Sequence, residues 1–98
     1  MIRKDIKEIE DYLKENFYKE KSLLIKDNHA GVCYFRNLGD DRFTVEINID
    51  YKDLIVSIEL IDNEKGSLSK LSYIDILSDF YKEFNNVHRR ISSLMGWC

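Results

Sequence analysis

Between Arg42 and Ile61 apolar and polar residues alternate almost without interruption. Phe43, Val45, Ile47 and Ile49 fall on one side of an extended chain. Leu54, Val56, Ile58 and Leu60 fall on one side of a second, with Asp50-Tyr51-Lys52-Asp53 between the two runs. A period of two held over that length predicts two antiparallel strands joined by a tight connection, each with one buried and one wet face. Thr44, Glu46, Asn48, Ser57 and Glu59 are the positions expected to meet solvent.

The period changes on either side. Ile2, Ile6, Ile9, Leu13 and Phe17 recur every three or four residues, which predicts an amphipathic helix running to about Lys21. Lys4/Glu8 and Glu15/Lys19 are neighbours on its polar side. Ser22-Leu23-Leu24-Ile25-Lys26 and the stretch from His29 to Leu38 read as two further strands, separated by Asp27-Asn28 and closed by Gly39-Asp40-Asp41. Downstream, residues 62–67 read as a polar loop. Ser72 followed by Asp75 resembles a capping box, and Tyr73, Leu77, Phe80, Phe84, Val87, Ile91 and Leu94 predict a long helix to Met95, stopped by Gly96.

Ile74, Tyr81 and His88 make the stripe of that helix wider than one sheet contact requires. Part of it is expected to meet the first helix, and part a second copy of the chain. The connections between strands are too short for crossover helices, so the sheet is antiparallel. The expected fold is α+β: a four-stranded antiparallel meander with an N-terminal and a long C-terminal helix on one face, in a single domain over residues 1–98.

Charge changes the picture by its placement. The net charge is −3, and residues 22–61 carry seven acidic and four basic side chains, while the flanking segments balance. The deficit therefore lies on the strands and turns, which disfavours direct nucleic-acid binding and favours a partner with a basic surface. No apolar stretch is long enough to span a bilayer, and the charged start Arg3-Lys4-Asp5 is unlike a signal peptide, so a cytoplasmic location is expected. Two cysteines, Cys33 and Cys98, are too few for a disulfide framework.

Candidate chemistry is sparse. His29 and Cys33 are four residues apart, about 13 Å along a strand, too far to share a metal ion. Cys33 lies among apolar residues that raise a thiol's pKa, which disfavours a nucleophile paired with His29 or His88. The acidic pairs Asp40/Asp41 and Asp75/Asp79 suit a turn and a helix N-terminus respectively. The glycines stand singly at 31, 39, 66 and 96, so no phosphate loop is present. His88-Arg89-Arg90 is the one concentrated basic spot. Tyr12, Tyr18, Tyr51 and Tyr81 fall at stripe edges or turns, where tyrosines serve either an interface or the margin of a core.

These residues suggest a non-enzymatic binding or inhibitory module without cofactor or metal. It would cover a basic protein surface through Asp40, Asp41, Glu46, Asp50, Asp53 and Glu59. Richness in Ile, Lys, Asn and Tyr with no Pro is the composition of an AT-rich genome. That suggests a phage or mobile-element anti-defence protein, anti-CRISPR-like in kind. The alternatives are a toxin-immunity protein or antitoxin, and a regulator, dimeric through the second helix, that binds an anionic ligand or nucleotide with His88, Arg89 and Arg90.

Overall fold

A computed structural model describes the backbone of residues 4–24, 30–52, 55–74 and 77–96, and the side chains of 6–21, 31–52, 55–70 and 80–96. The chain runs α1 (Lys4–Glu15), β1 (Lys19–Leu24), β2 (Ala30–Leu38), β3 (Phe43–Asp50), β4 (Ile55–Asp62), β5 (Gly66–Ile74) and α2 (Leu77–Leu94). All strand pairs are antiparallel, and the sheet order β1-β2-β3-β4-β5 is the chain order. The α+β class and the meander hold.

The alternation of β3 and β4 sets the layers. Phe43, Val45, Ile47 and Ile49 are buried, as are Val56, Ile58 and Leu60 opposite them. They form one core with Ile6, Ile9 and Leu13 of α1 and Phe80, Phe84, Val87 and Ile91 of α2, so both helices lie on the same side of the sheet. Burying one such side chain is worth about 1.5–3 kcal/mol. The extra width of α2 is spent inside the molecule. Tyr81 meets Tyr12 edge to face at 5.0 Å, and Tyr12 meets Phe84 at 5.2 Å, which seals α2 to α1.

Three boundaries differ from expectation. Gly66–Ile74 is a fifth strand, so Tyr73 and Ile74 belong to the sheet and α2 begins only at Leu77. Its alternation is hidden because three serines dilute it, and because a bulge leaves Leu68 without a partner between Leu60↔Ser69 and Ile61↔Ser67. Asp75 and the cap proposed for it lie outside the described residues. The first helix stops at Glu15 and β1 starts at Lys19, earlier than Ser22. Tyr18, buried at 5 %, then takes the core position that helical spacing assigns to Phe17.

The turn between β2 and β3 holds Gly39, Asp40 and Asp41 at φ 62, 56 and 66° in succession. Aspartate tolerates this left-handed region better than most residues. Gly39 has a second reason to lack a side chain, because a Cβ there would sit 3.0 Å from Met95 Sδ at the end of α2. Asn63 ties this turn to the next one, donating from Nδ2 to the Asp41 carbonyl (2.7 Å) and from its amide to the Arg42 carbonyl (2.8 Å). Among the described residues no helix is long and apolar enough to cross a membrane.

Candidate functional site

The register of the five strands defines a second sheet face, which no described element covers. One row across it reads Lys19, Phe35, Glu46, Glu59, Lys70, one residue from each strand. Glu46 and Glu59 are therefore direct cross-strand neighbours, half-buried at the centre, with lysines on the two edge strands. Among the described residues neither carboxylate has an ion-pair partner. The next row reads Lys21, Cys33, Asn48, Ser57, Ser72. Thr44, Glu46, Asn48, Ser57 and Glu59 share this face as expected, but Ser57 is buried at 7 % and Cys33 at 1 %. Short side chains in the middle of a pleated layer sit beneath the longer ones of adjacent rows.

The other acidic candidates are dispersed. Asp50 lies on the same face as Glu46, and its Oδ1 accepts the Lys52 amide at 2.9 Å in the following turn. Asp40 and Asp41 occupy the turn at the opposite end of β3, an eight-residue strand and so about 26 Å long. Asp53 lies outside the described residues. The acidic set is thus a central pair with separated outliers rather than one patch.

A cleft of about 310 Å3 opens at the start of β1, lined by Phe17, Lys19, Phe35, Arg36, Asn37 and Asp41. It owes its form to how α1 ends. The Tyr18 amide donates to the Leu13 carbonyl (2.9 Å) and the Phe17 amide to the Lys14 carbonyl (3.1 Å), the paired bonds of a Schellman turn with Phe17 at the left-handed position. Glycine is usual there. Phe17 has φ 68°, a conformation that costs a residue with a Cβ about 1–2 kcal/mol. Its ring is 76 % exposed, and the Arg36 guanidinium lies 5.5 Å from the ring centroid while Nη1 donates to the Asn16 carbonyl at 3.1 Å. Nothing in the periodicity indicated this site, since it depends on the sign of one backbone angle. The sequence signal was Asn16, whose Nδ2 donates to the Tyr12 carbonyl at 2.7 Å and helps close the helix.

The basic trio of α2 is divided. Arg89 and Arg90 are exposed, whereas His88 is half-buried with Nε2 2.8 Å from the Tyr18 hydroxyl. Burial, helped by the Arg36 charge, lowers the His88 pKa. A neutral imidazole accepting the Tyr18 proton fits that shift, and burial raises the Tyr18 pKa as well.

The tyrosines are engaged at the core margin. The Tyr34 hydroxyl lies 2.7 Å from Glu10 Oε1 and 3.1 Å from Glu20 Oε2, and Tyr51 donates to the same Glu10 oxygen at 2.8 Å. Having one hydrogen to give, Tyr34 is shared between two carboxylates. Burial first, then these carboxylates, push the Tyr34 pKa up, and burial with Glu10 does the same to Tyr51. Glu10 stands inside the apolar stripe of α1, and that charged intrusion was the signal for this network. Burial also pushes the Cys33 thiol up, with Glu46 adding and Lys21 opposing, which leaves it a poor nucleophile at neutral pH. His29 and Cys98 lie outside the described residues. Among the described residues no three His, Cys, Asp or Glu side chains are grouped to hold a metal ion.

Comparison with protein-family models, with curated proteins and with solved structures gave no match.

Proposed function

We propose that this chain is a non-enzymatic binding module that docks a basic surface of another protein against the uncovered sheet face. Glu46 and Glu59 form the centre of that contact, and Asp50 extends it along β3. One observation carries the reading. Two carboxylates directly opposite each other on antiparallel strands repel, among the described residues neither has an ion-pair partner, and an incoming arginine or lysine relieves that repulsion. Half-buried Phe35, Ile55 and Ile61 on the same face supply apolar contact around the charges.

The specific form of the proposal is an inhibitor acting in the cytoplasm on a nucleic-acid-handling defence effector, anti-CRISPR-like in kind. Such effectors present basic channels built for phosphates, and a carboxylate-bearing face can occupy one. An immunity protein or antitoxin would use the same surface on a different target. Asp40 and Asp41 would serve as a rim contact in either case.

The test is an NMR titration with a hexa-arginine peptide, followed by paired capture from host lysate with wild-type and Glu46→Lys/Glu59→Lys baits. Shifts centred on Glu46 and Glu59, weakened about tenfold or more by raising the salt through the range where the Debye length falls below 10 Å, support the reading. Target capture unchanged in the still-folded double variant defeats it.

A further inference from the structure

β2 outruns its neighbour. The β1–β2 register begins at Lys19↔Phe35, yet β2 continues through Arg36, Asn37 and Leu38, paired on its other side with Val45, Thr44 and Phe43. Among the described residues no strand pairs with the edge of those three that faces the line of β1, because the chain before Lys19 turns away into the Schellman turn. This open edge borders the cleft of Phe17, Lys19, Phe35, Arg36, Asn37 and Asp41. Two cations and one carboxylate line it, and among the described residues neither cation has an ion-pair partner. Arg36 gives one N–H to Asn16, and the rest of its donors are not engaged by the described residues.

We infer that this cleft seats an extended acidic segment of a partner protein, which prolongs β1 along the free edge of β2 at Arg36–Leu38. Three properties converge on that occupant. A free strand edge recognises extended backbone. Lys19 and Arg36 select carboxylates, with Arg36 able to grip one through two N–H groups. Phe17, held outward in a strained conformation, and Phe35 line the cleft and add apolar surface for a side chain between the acidic ones. The cleft shares Lys19 and Phe35 with the row that holds Glu46 and Glu59, but its cations give it the opposite charge, so a basic segment suited to the glutamate pair is repelled by the cleft.

The probe is a capped acidic pentapeptide with a central leucine, titrated into the full chain and followed by amide chemical shifts. Binding is expected with shifts grouped at 17–19 and 35–41, weakened at least about fivefold by Lys19→Gln and by Arg36→Gln, and unaffected by Glu59→Lys, which lies two strands from β2. Lys19 is exposed, so its variant remains informative if Arg36→Gln disturbs the Asn16 contact. Two versions of the peptide, N-methylated at alternate residues, test the backbone pairing, since one of them blocks the strand hydrogen bonds. Equal binding of both with the parent peptide overturns the inference. So does equal binding of the lysine-for-acid peptide, or the same shifts from inorganic phosphate at the same concentration, which would reduce the cleft to a small-anion site. Because Glu59→Lys is silent here and weakens the contact at the sheet face, the two readings fail independently.

Discussion

On the helix-covered face of the sheet the buried polar groups are engaged: Glu10 by Tyr34 and Tyr51, Tyr18 by His88, and Asp62 by the Glu64 and Lys65 amides and by Arg42 at 3.6 Å. Among the described residues the one buried side-chain polar atom without a partner, Arg42 Nε, belongs to a turn. On the uncovered face the same strands set two glutamates side by side with no ion-pair partner among the described residues. One face satisfies its own polar groups, and the other keeps two like charges side by side, with lysines only on the edge strands, so an outside cation has repulsion left to relieve. Sites that give up stability in this way are where function concentrates.

That contrast is open to direct attack. The largest effect is expected on the covered face: Ile47→Ala, at a fully buried position, should cost about 2–5 kcal/mol in urea unfolding. A loss under 1 kcal/mol would mean that the helices do not pack there. Tyr34→Phe removes the hydroxyl shared by Glu10 and Glu20 and should cost about 1–3 kcal/mol, the range for leaving a buried group unsatisfied. A neutral result would show that Tyr51 alone satisfies Glu10.

The third effect depends on pH. Folding lowers the His88 pKa, so near and below the ordinary value of about 6.5 the unfolded chain binds more protons than the native one. Stability is full above that value and declines as pH falls toward the native-state pKa. His88→Gln should flatten the decline between about pH 7 and 5.5, and an unchanged slope would assign it to other groups. The smallest effect has the opposite sign. Glu46→Lys turns a repulsive cross-strand pair into an attractive one and should raise stability by about 0.5 kcal/mol while abolishing hexa-arginine binding. Lower stability in that variant would show that the pair is not strained and would undercut the site.

How much of this was legible follows from what each feature depends on. The period of two in β3 and β4 announced itself because helices cover one side of those strands and nothing described covers the other. β5, serine-rich and bulged at Leu68, left no such trace. Glu46 and Glu59 were readable as candidates one at a time, but their adjacency is a matter of register, which a hydropathy pattern does not carry. The cleft was hidden more deeply. It needs a left-handed Phe17 and a β2 three residues longer than its pairing with β1, both consequences of Tyr18 taking the core position instead of Phe17.

The meander order has a kinetic consequence. Each strand is separated from the one before it by only a few residues of chain, so the sheet can zip up from any hairpin at small loop-closure cost. The slow closure is elsewhere, in the contacts that bring the two ends of the chain together. Tyr12 on Tyr81 and the Tyr18–His88 hydrogen bond across 70 residues are therefore the bolts expected to slide home last and to be drawn first on unfolding.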